Sequence, residues 1–186
     1  MSIRLHRWIL ALLLVSVGIA GFNPSALASA QNKVNLIRYY PQLGPRVVSF
    51  SSTELVELGM MLLQSEVPGA VTQPQLRLSD GGATATMHVD FSKLDRIASS
   101  PLSALFRGPL TVVASVEVSS SNGTMRIHPT EIQIGSVALT GAALDYAIVN
   151  VLLPYYPDAF VDRDFELPAT INRIQVTHSQ ALVYRK

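Results

Sequence analysis

The chain has 186 residues, a formal net charge of +1 and no cysteine. Without cysteine there is no disulfide, no thiolate metal site and no thiol nucleophile, and so small a charge leaves no electrostatic footprint for nucleic acid. Charged residues make up only 15% of the chain, so an apolar surplus has to be buried in a core or against a partner.

Arg4, His6 and Arg7 form a basic start, Trp8 to Gly21 is an apolar run, and Ala28-Ser29-Ala30 is a small-residue site before Gln31. That is the pattern of a secretory signal peptide. The run falls short of the roughly 20 residues that a membrane span needs. An uncleaved N-terminal anchor is the alternative. Cleavage after Ala30 is expected, giving a periplasmic or secreted protein. It removes two arginines and no acidic residue, so the formal charge falls from +1 to −1. The remaining stretch of about 156 residues suits one domain with a sizeable core. The expected division is a signal peptide over 1–30, a lead-in segment over 31–46 with no clear period, and a single domain over 47–186.

A strand is expected near Arg46 to Phe50. Ser51 and Glu54 have the spacing of a capping box, and Leu55, Leu58 and Leu62 follow at helical spacing, widened by Met60 and Met61. The Ser65 to Gly69 stretch ends that helix. Gln75 to Phe91 reads as a hairpin about Asp80-Gly81-Gly82. On its return strand Ala83, Ala85, Met87, Val89 and Phe91 share one parity, while Thr84, Thr86, His88 and Asp90 share the other, so one face is dry and one wet.

Between Ser92 and Gly108 the apolar spacing suits short helical turns on either side of Pro101. A packed connector is the plain reading. A lid, or an edge in transient contact with a membrane through 92–108, is the functional one.

Leu110 to Leu139 is the most informative run. Leu110, Val112, Ala114, Val116 and Val118 alternate with polar residues, as a half-buried strand requires. Asn122-Gly123 is the dipeptide of a type I′ turn. On the return strand Met125 and Ile127 have one parity and Ile132 and Ile134 the other. The register is therefore expected to slip at His128-Pro129-Thr130, where proline cannot donate to the ladder.

A helix is expected over Ala142 to Leu153, with Leu144, Ile148, Val151 and Leu152 at i, i+4, i+7 and i+8. Its apolar arc is broad enough to require deep burial or apolar neighbours on two sides. Asp158 to Leu167 is irregular and acidic. A last hairpin follows Leu167-Pro168-Ala169, with Ile174 and Val176 in phase, Ile171 out of phase and a turn near His178. The whole is α+β: a curved antiparallel sheet of about six strands, built from hairpins, with two main helices packed on one face.

Catalytic motifs are missing. No G-x-S-x-G, phosphate loop or G-x-G-x-x-G occurs. His88, His128 and His178 lie singly on different strands. Asp158, Asp162, Asp164 and Glu166 offer an alternation of oxygen ligands of the kind calcium takes, but the glycine and the downstream glutamate of an EF-hand are missing and Arg163 interrupts them. The run reads as a solvated loop. No catalytic residue, metal or cofactor is expected.

The stretch from Ile134 to Tyr156, IGSVALTGAALDYAIVNVLLPYY, followed by FELPATINRIQVTHSQALVY, resembles the exported LmeA-type phospholipid-binding proteins and, more distantly, YpmS-like proteins of the TULIP-like lipid-binding group. SFSSTELVELGMMLL is similar to the first helix of that family. The chain departs from the family at Leu139-Thr140-Gly141, where Leu-Pro often precedes the helix. The resemblance implies a curved sheet and a long helix around an acyl-chain groove, and it offers no catalytic residue.

The function expected from these readings is an exported, non-enzymatic protein that binds a lipid or fatty-acyl ligand. The residues expected to line its cavity are Leu58, Leu62, Met87, Ala114, Val116, Ile134, Ile148 and Leu152. A solid-cored module that binds another envelope protein is the second reading, and an enzyme acting on an envelope polymer is the third.

Overall fold

A computed structural model describes residues 23–40, 42–94, 108–153 and 162–186. The expected short helices between Ser92 and Gly108 fall almost wholly outside these residues, as does Asp158. The described chain begins with helix α1, Pro24–Tyr39. Strand β1, Val47–Ser51, leads directly into α2, Ser52–Glu66. Strands β2, Val71–Ser79, and β3, Gly82–Asp90, form the first hairpin. The central hairpin is β4, Pro109–Ser121, and β5, Thr124–Ile134, with the short β6, Val137–Thr140, beside it. Helix α3, Gly141–Ala147, continues as a wider π-helical turn over Ile148–Leu152. Strand β7, Phe165–Glu166, and the hairpin of β8, Ile171–Val176, with β9, Gln180–Arg185, complete the order.

The architecture is α+β with two antiparallel sheets. The larger is curved and runs β2-β3-β4-β5-β6, with β7 on β5 as its sixth strand, and the smaller runs β1-β9-β8. Two hairpin tips dock on β8. The Gly81 N–H donates to Val176 O, and the Gly123 N–H donates to Asn172 O. The sequence reading anticipated a single sheet. Ser51 shows why there are two: it ends β1 and caps α2, so the first strand is separated from β2 by a helix and pairs instead with the C-terminal strand.

The turn and register chemistry follows from the sequence. Asn122 and Gly123 both take positive φ, 49° and 80°, as a type I′ turn demands. The central hairpin slips its register where expected. Ser115 faces Glu131 but Val116 faces Pro129, which leaves Thr130 as the extra residue. The slip puts Ile132 and Ile134 opposite Ala114 and Val112, on the face that also carries Ile127. A second irregularity between Ile171 and Arg173 explains the phase of Ile171, which is buried together with Ile174 and Val176. At Gly82 a Cβ would lie 2.8 Å from Val116 O, so close approach of β3 to β4 requires glycine there.

Helix α1 departs from the expected lead-in over 31–46. It runs unbroken through the Ala30–Gln31 junction. The Asn23 side chain accepts from the Ala26 N–H, and Pro24 occupies the first turn. Ala30 is fully buried. Glu57 of α2 is buried and accepts the Asn23 N–H at 2.9 Å, while Glu54 of α2 takes Lys33 Nζ at 2.6 Å and the Ser29 hydroxyl. Polar pairing and one small residue thus add to the apolar packing of Leu27, Val34 and Ile37 in holding α1 to the rest of the fold. Among the described residues no helix is long and apolar enough to cross a membrane.

Candidate functional site

An apolar cavity of about 220 Å³ opens between α1, the start of α2 and the inner face of the smaller sheet. Helix α1 turns Val34, Ile37 and Arg38 toward it, a spacing of i, i+3 and i+4 that shares one helix face. Phe50 comes from β1, and Leu55 and Leu58 from α2. Ala181 and Val183 alternate inward along β9, as strand period two dictates. Ile171 and Ile174 join them from β8 because of the local register shift. Met125 and Phe165 face each other across β5 and β7 and add to the wall. The loop from Leu167 to Thr170 completes it.

Among the described residues sixteen line the cavity, and of these only Arg38 is charged and only Thr170 has another polar side chain. The neighbouring acid, Glu54, is used elsewhere. Burial alone would push its carboxyl up, but the Lys33 ammonium, the Ser29 hydroxyl and the Ser51 N–H outweigh that and hold it below its ordinary value. Lys33 also lies 5.6 Å from the centre of the Phe50 ring. Arg185 is buried just beyond the cavity, where its guanidinium donates to the carbonyls of Tyr40, Leu43 and Pro45 and fixes the end of α1 to the following loop.

Of the eight residues expected to line a cavity, the structure brings Leu58 to this one. Leu62, Met87 and Val116 are buried in the general core, with Ile134 packed against it half-buried. Ala114 is half-buried in β4. Ile148 is buried in the π-helical turn, and the side chain of Leu152 lies outside the described residues. The other fifteen lining residues were missed from the sequence, among them Val34, Ile37 and Arg38. For α1 a signal was present. Leu27, Ala30, Val34 and Ile37 stand at i, i+3, i+7 and i+10, an apolar helical stripe that a boundary drawn at Ala30 cuts in two.

Of the other candidate groups, His128, His178, Asp162 and Asp164 are paired at the surface, while the buried Nδ1 of His88 has no hydrogen-bond partner among the described residues. Asp162 Oδ1 lies 2.9 Å from His128 Nδ1, and Asp164 takes Arg126 Nε at 2.7 Å. His178 pairs with Asp80. Among the described residues no group of three potential metal ligands comes together. Comparisons with protein-family models, curated proteins and solved structures find no match to the chain.

Proposed function

We propose that this is an exported, non-enzymatic binding protein for a lipid or another apolar ligand, acting as a carrier or helper in cell-envelope biogenesis. The supporting observation is the cavity, walled almost entirely by aliphatic and aromatic side chains from two helices and two sheets. An unfilled apolar void forfeits dispersion contacts along its lining. A hydrocarbon chain entering it restores them and leaves water at about 0.8 kcal/mol per CH₂. The basic start, apolar run and Ala28-Ser29-Ala30 site favour export. A chain cut after Ala30 keeps Val34, Ile37 and Arg38 of the cavity wall and the Lys33–Glu54 pair, and loses Asn23, Ser29 and Ala30 from the α1–α2 contact. The resemblance to LmeA-type proteins favours the same ligand class.

The test is native mass spectrometry of the protein purified from its own envelope without detergent, followed by solvent extraction. Near-stoichiometric fatty acid or phospholipid supports the reading. A ligand-free mass that stays unchanged after incubation with phospholipid vesicles rejects it.

A different observation favours the assembly-module reading. Strand β6 is an edge of the larger sheet, and Val137 on it is exposed, as are Tyr146 and Val149 on the following helix. An edge strand beside exposed apolar side chains suits pairing with another protein. That reading predicts a stable protein partner and no co-purified lipid.

A further inference from the structure

We propose that the ligand of this cavity is a single hydrocarbon chain ending in a carboxylate, and that Arg38 binds its head. The proposal rests on the apolar-ligand reading above and adds the chemistry of the head group.

The cations around the cavity differ in what occupies them. Lys33 is taken by Glu54, and Arg185 by three backbone carbonyls. Arg38 has neither kind of partner among the described residues. Its guanidinium lies 4.9 Å from the centre of the Tyr39 ring, a stacking contact that leaves the N–H edge available for an acceptor. It is half-buried and stands in the last turn of α1, one turn beyond Val34 on the same helix face. The wall is thus apolar along its length and cationic at one place. Position near the C-terminal end of a helix suits any cation, but this one also borders the cavity.

Guanidinium is weakly hydrated and presents paired N–H donors that match the two oxygens of a carboxylate. Its methylene stem lies along apolar surface while the charge reaches outward. The Thr170 side chain, the other polar group of the lining, supplies a hydroxyl that donates or accepts. Capacity narrows the ligand further. The cavity measures about 220 Å³. That space suits one short chain segment and is small beside the roughly 300–1,000 Å³ of pockets that bury drug-sized ligands.

The experiment titrates delipidated protein with decanoate and with decan-1-ol, which share a chain and differ in charge. Both are read by native mass spectrometry and calorimetry, in wild type and in Arg38→Gln and Arg38→Lys. The expected result is that wild type binds both ligands, decanoate more tightly. Arg38→Gln should weaken decanoate at least tenfold and leave decan-1-ol unchanged, which also shows that the variant is folded. Arg38→Lys should fall between them. Equal changes for both ligands, or none, overturn the role of Arg38 while leaving the apolar cavity standing. Binding of neither ligand to wild type overturns the cavity reading as well. Dilauroyl phosphatidylglycerol vesicles that displace decanoate at lower concentration than decanoate itself overturn the carboxylate in favour of a phospholipid head.

Discussion

Helices α1 and α3 reverse what their sequences advertise. In sequence, α3 and its π-helical continuation have the broader apolar arc, whereas the expected lead-in that contains most of α1 has no clear period. In the fold α1 lies against α2, buries Ala30 completely and walls the cavity. In α3 and its continuation Leu144 and Ile148 are buried, while Tyr146 is 67% exposed and Val149 58%. The difference teaches that an apolar arc sets how much surface a helix offers, while its partners decide how much is used. Helix α1 finds Glu54 and Glu57 waiting on α2 to receive Lys33, Ser29 and the Asn23 N–H. These bonds, with the small Ala30 between the helices, allow an approach that apolar content alone does not foretell.

The largest effect expected from this contrast is at Ile37. It is buried and lines the cavity, so Ile37→Ala should cost about 2–5 kcal/mol of stability, read as a lower urea midpoint with the slope retained. A cost near zero would make α1 a surface appendage.

Next comes the α1–α2 ion pair. Lys33→Met leaves the Glu54 carboxylate with burial and without its cation, and should cost about 1–3 kcal/mol at pH 7. The pH dependence carries a sign. The Glu54 pKa is lowered in the folded state, so its stabilising contribution is complete above the unfolded value, about 4.3. It is lost as pH falls through the folded value. Wild type should therefore lose more stability than Lys33→Met on acidification through that window. Parallel loss in the two proteins would remove the pair from the account.

The smallest effect belongs to the other helix. Tyr146→Ser and Val149→Ser should each change stability by no more than about 0.5 kcal/mol and leave ligand binding intact. A loss of several kcal/mol would mean that this face is covered in the working protein, as the assembly-module reading requires.

Local features were legible in the sequence because their chemistry is local. The capping box of Ser51 and Glu54, the Asn122-Gly123 turn and the slip at Thr130 all rest on residues within a few positions of one another. The division into two sheets was not legible. It depends on β1 pairing with β9, Val47 facing Tyr184, across most of the chain, and alternation within a strand does not name its partner. The candidate site fell between these cases. Leu58 was found because α2 was read correctly. The dry face of β3 and β4 was also read correctly, yet Met87 and Val116 on it pack into the core away from the cavity lining. Most of the wall comes instead from α1, the start of α2, the smaller sheet and the loop before it, with Met125 and Phe165 from the larger sheet. Helix α1 is hidden in the sequence by the boundary drawn at Ala30, and the smaller sheet by long-range pairing.

Uptake of a fluorescent fatty acid by wild type and by Ala181→Leu is the most direct test of the cavity. Ala181 is buried and lines it, so a larger side chain there fills space that a ligand needs. The account predicts near-stoichiometric uptake by wild type and at least tenfold weaker uptake by Ala181→Leu, which should keep a cooperative unfolding transition. Equal uptake by the two proteins, or none by wild type, would contradict it.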